Sequence, residues 1–311
     1  MLQPFLFFAL VFSINLNLYA QVANTPKAAV QIQALAQQLN PSAIREMYAL
    51  YTEILQNSPR DGVDVIRDLR YGEYERQRLD VHRPPNRSVG LPVLVFVHGG
   101  GFVRGDKNMS DLIHGNIATY FARHDVVGVN ATYRLAPKHK WPSGVEDMAA
   151  IVKWLRSHVD EYSGDPDRIY LMGHSAGAAH VAAYTFFERF QVDQGNDGVK
   201  GTILLSGLYR PRPGGPELVY YGEGPQSLSQ GNILSKVDGR KIPLFLIDSE
   251  FDPGFMQQGT VELMAAVCKR DNKCPRRLHV QGHNHISEVI HLNSADESVG
   301  PALLDFINDG R

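Results

Sequence analysis

The chain has 311 residues, of which 43% are hydrophobic and 21% charged, and its formal net charge is −2. That profile belongs to a folded globular protein and not to a disordered one. It holds no basic run able to track a phosphate backbone, which argues against a nucleic-acid partner.

The first twenty residues stand apart. Phe5–Phe12 is an unbroken apolar run, and Ala20 offers a small residue at which a leader could be cut. The run is too short for a bilayer span, which needs about 20 apolar residues. It fits the core of a signal peptide, although no Lys or Arg precedes Lys27. Residues 1–20 are therefore expected to be a cleaved signal, and the protein secreted or periplasmic with no stable membrane span. The two cysteines, Cys268 and Cys274, are close in sequence. In an oxidising compartment they are expected to close a small disulfide loop.

Residues 21–61 form an N-terminal helical segment in this reading. Ala43, Ile44, Met47, Leu50, Tyr51 and Ile54 recur at helical spacing, and one helix is expected over 27–56. Residues 62–311 alternate between strand and helix patterns. Strands are expected at 63–69, 77–82, 93–97, 126–132, 168–172, 201–205, 242–247 and 278–280. Helices are expected at 111–123, 144–158, 176–190, 256–268 and 299–307. Several strands are continuously apolar, as in Val93–Val97, which implies a parallel sheet with helices on both faces. Residues 207–238, after the sixth strand, break the alternation with Pro211, Pro213, Pro216 and Pro225 and with Tyr209, Tyr220 and Tyr221. Such an insertion is often a binding loop or lid.

The chemistry gathers where strands end. Gly173-His-Ser-Ala-Gly177 lies between the strand ending at Met172 and the helix opening at Ala176. A tight strand-to-helix turn holds a serine hydroxyl clear of the sheet, near a positive helix end, and needs small neighbours. Ser175 is the expected nucleophile. It needs a base, and the base needs an orienting acid, in the chain order Ser, acid, His. The acid lies in Asp248-Ser-Glu-Phe-Asp252-Pro253 and the base in Gly282-His-Asn-His285. Asp252 is preferred for its place in the loop, ahead of Pro253. Asp248 and Glu250 are left as solvated or bonded to loop backbone. His285 is preferred over His283, which would shape the loop. A metal site built on His283, His285 and His291 is set aside, because no carboxylate or cysteine completes a known zinc spacing. No metal and no organic cofactor are expected.

His98-Gly-Gly-Gly101-Phe102 follows another strand. Glycines let backbone N–H groups turn inward, and Gly100, Gly101 and Ala176 are the expected oxyanion donors, worth about 3–4 kcal/mol each in the transition state. His98 reads as a scaffold residue. Phe102, His174, Tyr209, Phe251 and Ile286 adjoin these loops and are candidate pocket walls, with core packing the alternative for each.

These motifs resemble the esterase/lipase side of the α/β-hydrolase superfamily, near the hormone-sensitive-lipase-like carboxylesterases. Tyr133-Arg-Leu-Ala-Pro137 and Trp141-Pro-Ser-Gly-Val-Glu-Asp147 share that resemblance. Residues 74–82, 101–107 and 282–287 are similar to the feruloyl-esterase and kynurenine-formamidase-like branch. The resemblance spans about residues 62–310 and implies an eight-stranded, mostly parallel sheet and esterase activity. It sets His285 and Asp252 at the family's base and acid positions, and the shortness of the 207–238 insertion argues against a large lipase-type lid. The expected activity is hydrolysis of small esters, short acyl or aromatic, through an acyl-enzyme. Amidase or formamidase, peptidase and lactonase activities share the same triad. A binding protein that kept the fold without the chemistry is disfavoured by the complete set of residues.

Overall fold

A computed structural model of the chain describes residues 26–86 and 88–309. The expected signal at 1–20 lies outside the described residues. Two helices come first, α1 (Pro26–Leu35) and α2 (Pro41–Leu55). A single helix over 27–56 was expected; the chain instead breaks at Asn40–Pro41. Proline at the first helical turn cannot donate to a preceding turn, and the Asn40 side chain accepts from the N–H of Ser42 and Ala43, both at 3.0 Å, to cap a new helix.

The alternation then runs β1 (Asp64–Arg70), β2 (Arg78–Arg83), β3 (Leu91–Val97), α3 (Gly115–Arg123), β4 (Val127–Ala131), α4 (Ser143–His158), β5 (Gly164–His174), α5 (Ala176–Phe186) and β6 (Val199–Leu205). The insertion carries two short helices, α6 (Leu218–Tyr221) and α7 (Pro225–Gln230). The chain closes with β7 (Leu244–Phe251), α8 (Gly254–Asp271), β8 (Arg276–Asn284), α9 (Ser287–Ile290) and α10 (Gly300–Asp309). The eight strands form one sheet in the order β1-β2-β4-β3-β5-β6-β7-β8. β2 pairs antiparallel with both β1 and β4, and every other pairing is parallel. The expected eight-stranded, mostly parallel architecture is present.

The unbroken apolar strands follow from burial on both faces. Val93, Val95 and Val97 point to one side, where they meet Val145, Met148, Ile151 and Leu155 of α4 and most of α5. Leu94 and Phe96 point to the other, toward Ile117 and Phe121 of α3, Leu303 and Phe306 of α10, and Met47, Leu50 and Tyr51 of α2. The N-terminal helices thus cover part of one sheet face. Cys268, near the end of α8, is joined to Cys274 with an S–S distance of 2.08 Å.

Parallel register aligns the strand ends. Val97 of β3 faces Gly173 of β5, His174 faces Leu205 of β6, and Leu205 faces Ile247 of β7. Residues just beyond these strands therefore converge along one edge, the place where open α/β sheets bind ligands.

Candidate active site

Ser175 joins β5 directly to α5, with φ 57° and ψ −120°. That backbone conformation is strained for a residue with a Cβ. It is possible because the chain around it carries no bulk. A Cβ on Gly177 would come to 2.2 Å from the carbonyl oxygen of Val97, so helix α5 could not seat against β3 with any larger residue there. The Ser175 N–H donates to the Leu205 carbonyl at 2.9 Å, which ties the turn to β6.

Asp252 and His285 meet beyond β7 and β8. The His285 Nδ1–H donates to Asp252 Oδ1 at 2.8 Å, which leaves Nε2 as the basic nitrogen. The other Asp252 oxygen accepts from the Ser206 hydroxyl and from the Ser249 N–H at 3.0 Å. Three donors on one buried carboxylate fix its plane and, through it, the imidazole. The His174 ring, next to Ser175 in sequence, lies 4.6 Å from the His285 ring, and its Nε2–H donates to the His285 carbonyl at 2.7 Å. Burial and the neighbouring His285 hold the His174 pKa well below the usual imidazole range, so His174 stays neutral.

The glycine run after β3 adjoins this group. A Cβ on Gly99 would lie 3.0 Å from the Ser175 Cβ. Gly100 has φ 125°, and a Cβ there would come to 2.1 Å from the Arg104 carbonyl oxygen. Only glycine fits that position. The N–H groups of Gly100 and Gly101 have no acceptor among the described residues, and the N–H of Ala176 opens helix α5, where the first amides lack partners within the helix. These are free donors beside the serine.

A chain of contacts stiffens the run. His98 is fully buried; its Nδ1–H donates to the Gly99 carbonyl at 2.6 Å, and its own carbonyl accepts from the Tyr133 hydroxyl at 3.0 Å. Tyr133 stacks on the His98 ring at 4.5 Å. Arg134 is held by the buried Asp147 through its backbone N–H at 2.7 Å and Nε at 2.9 Å, and Gln77 donates to the same carboxylate. The segments Tyr133–Pro137 and Trp141–Asp147, distant in sequence, thus act as struts for the glycine loop.

Known proteins resemble this chain in sequence and in fold. A family model described as BD-FAE matches residues 79–196. A probable isoprenylcysteine alpha-carbonyl methylesterase of Arabidopsis thaliana is 35% identical over 156 residues, covering 50% of this chain and 32% of its own length. The versiconal hemiacetal acetate esterase of Dothistroma septosporum is 31% identical over 167 residues, 53% of this chain and 49% of its own. The matched stretches span less than half the length of these curated relatives. In the solved structure of the hyperthermophilic esterase from the archaeon Pyrobaculum calidifontis, 92% of this chain superposes on 98% of that one, with a TM-score of 0.69 at 22% identity. The chain has the α/β-hydrolase fold of these solved esterases.

Within this fold several residues differ from their sequence expectation. Asp248 is neither solvated nor bonded to the loop. It is fully buried and accepts from Arg277 Nε at 2.8 Å, Arg277 Nη2 at 2.9 Å and His279 Nδ1 at 2.8 Å. Those partners come from β8, which pairs with β7 at that register. Glu250 does bond loop backbone, accepting from the Gly282 N–H at 2.8 Å.

The candidate pocket walls divide. Phe102 is a packing residue: it is fully buried and stacks on Tyr220 with centroids 4.8 Å apart and planes 2° apart. His174 is a support for His285 and not an open wall. Ile286 is buried and belongs to the core on the α3 and α10 side. Tyr209 borders a shallow cleft with Gly207, Arg212 and Phe255, and Phe251 is half-buried. A larger cleft lined by Glu188, Lys200, Arg240 and Pro243 lies at the opposite sheet edge, where β6 and β7 begin.

Ser206, Ser249 and Glu288 carry weight that the sequence did not reveal. Glu288 is fully buried beside the Asp252–His285 pair. Its polar neighbours are His174, with Nε2 at 3.4 Å, and the Ser206 and Ser249 hydroxyls, none in good hydrogen-bond geometry. Burial, and then the nearby Asp252 charge, push its pKa well above the carboxyl range, so it is held as a neutral acid. A glutamate three residues from the histidine on either side of it gives no sequence signal for this.

Proposed function

We propose that the chain is a serine esterase that hydrolyses small carboxylic esters, short acyl or aromatic. One observation carries the reading. The chain holds Ser175 in a strained turn between β5 and α5, beside free amides, while the next strands deliver an imidazole already bound to a carboxylate. The esterase names of the relatives support it.

In the proposed cycle Ser175 Oγ bonds to the ester carbonyl carbon as its proton passes to His285 Nε2. Negative charge on the carbonyl oxygen is met by the N–H groups of Gly100, Gly101 and Ala176. The imidazolium, steadied by Asp252, gives its proton to the leaving alcohol as the C–O bond breaks. Water then attacks the acyl-serine, with His285 taking its proton and returning one to Ser175, and the acid departs. In this reading Tyr209 and Phe251 are the remaining candidates to contact the acyl or alcohol group.

A panel of nitrophenyl esters with two to twelve acyl carbons, run beside aryl amides and feruloyl esters, tests this reading. The expected result is turnover of the short or aromatic esters well above that of the amides. Faster cleavage of the amides would replace esterase with amidase. We propose export as well, on the strength of the apolar run Phe5–Phe12 and the small residue Ala20. A mature N-terminus near Gln21 is the expected outcome of sequencing protein from the native host, and an intact Met1 would refute it.

A further inference from the structure

A second cluster of buried ligand-type side chains lies behind the His285 loop. The fold brings together His283 at the end of β8, His291 just after α9, and Asp296 and Ser298 in the turn before α10. We propose that His283, His291 and Asp296 bind a zinc ion, with Ser298 or a water it holds in the fourth position. This site is independent of the esterase reading.

The side chains converge closely enough to share one ion. The ligand atoms of His283, His291 and Asp296 all lie within 4.8 Å of one another. His283 Nε2 is 3.1 Å from Asp296 Oδ2, and Ser298 Oγ is 3.3 Å from both His283 Nε2 and His291 Nε2. Zinc bound tetrahedrally at about 2.0–2.1 Å sets ligand-to-ligand edges of about 3.3–3.4 Å. The serine contacts match that edge and are long for an O–H···N hydrogen bond, whose oxygen donors sit closer.

The outer shell is also in place. Ligating histidines characteristically engage their second ring nitrogen with a fixed oxygen. Here one residue serves both rings. The His291 Nδ1–H donates to the Ser287 carbonyl at 2.8 Å, and His283 Nδ1 lies 3.1 Å from Ser287 Oγ. On metal binding the His283 proton resides on Nδ1, where Ser287 Oγ accepts it, and both Nε2 lone pairs face the ion. Asp296 Oδ1 accepts from the Ser298 N–H at 3.0 Å, leaving Oδ2 for the metal. The histidines are fully buried, whereas Ser298 is half-exposed and Glu297 exposed, so the turn gives the ion a way in.

The sequence reading set a metal aside for want of a carboxylate at zinc spacing. Asp296 lies thirteen residues beyond His283, outside any such spacing, and only the fold supplies it. Two neutral imidazoles and one carboxylate leave a bound Zn²⁺ with a single net positive charge, a donor set suited to zinc and other borderline divalent metals. A metal here would tie the end of β8, two residues before His285, to the turn before α10.

Isothermal titration of the chelator-treated full chain with zinc chloride tests the proposal, with thermal unfolding followed in parallel. The expected result is one equivalent bound and a rise in Tm that saturates at that equivalent. His291→Gln and Asp296→Asn should each weaken binding by about 100-fold or more. Asp296→Asn, which keeps the size and shape of the side chain, guards against a variant that fails to fold. Absence of binding to the wild-type chain would overturn the proposal, and so would undiminished binding in both variants. Binding lost in His285→Ala but kept in His291→Gln would overturn it too, by moving the metal to the other cluster, His174, His285 and Glu288.

Discussion

A carboxyl group with no exposure and no well-aligned partner has one low-cost state, which is the protonated one. Glu288 occupies that state behind the Asp252–His285 pair. An ionised group there would place a second negative charge beside Asp252 and add to the basicity of His285; a neutral one leaves Asp252 as the sole counter-charge. The linkage sign follows. A folded pKa raised above the unfolded value near 4.3 contributes stability that is complete below that value and is lost as pH rises. The loss approaches about 1.4 kcal/mol per pH unit until the buried group itself ionises. Glu288→Gln replaces a neutral acid by a neutral amide of the same shape. Its Tm should equal that of the parent near pH 4.5 and exceed it increasingly toward pH 8, with kcat within a few-fold. Parallel Tm profiles, or a loss of kcat on the order of 100-fold, would show that the ionised form is the one in use.

At the scale of elements, the insertion between β6 and β7 is a packed brace. Tyr220 of α6 stacks on Phe102, its hydroxyl accepts from the Gly144 N–H at 3.0 Å, and its carbonyl accepts from the Trp141 N–H at 3.0 Å. The Arg212–Glu217 ion pair, at 2.9 Å, closes the loop on itself. Phe102 also follows Gly101 directly and accepts from the Ala136 N–H at 2.9 Å, so packing in the insertion reaches the glycine run. Phe102→Ala should destabilise the chain by about 3–5 kcal/mol and lower kcat more than it raises KM. Denaturant unfolding measures the first; a change below about 1 kcal/mol would mean the ring is not buried as described.

What the sequence disclosed at this scale, and what it withheld, has a physical pattern. The apolar strands around Val93–Val97 and the Gly173–Gly177 turn were legible because both-face burial and a strained turn act on adjacent residues. The break at Pro41 was also local, but the helical spacing on either side of it masked it. Asp248 and Glu288 were not legible. Their burial depends on partners brought in by neighbouring strands, such as Arg277, 29 positions away, and acidic residues are ordinarily exposed. Phe102 was ambiguous for the same reason, since its stacking partner Tyr220 lies far along the chain.

For the molecule as a whole, the weak point is acid. His82, His98, His114, His174 and His180 are all buried, and desolvation depresses each pKa, to about 4 for His82 and about 3 for His180. A depressed folded pKa contributes stability present above the unfolded value near 6.5 and lost as pH falls toward the folded one. Unfolding then takes up protons, so Tm should fall steadily from pH 7 to pH 4.5. A Tm that is flat over that window would contradict the burial of these rings. Among the described residues no helix is long and apolar enough to cross a membrane.

The central claim is that the whole sheet is arranged to present one serine. An organophosphonate probe tests it most directly, because it forms a stable bond only with a serine activated by its own base and donors. Mass spectrometry of the labelled, digested chain should place a single adduct on Ser175, and Ser175→Ala should take up none while keeping its fold by circular dichroism. An adduct on another residue, or equal labelling of the Ser175→Ala chain, would contradict the account.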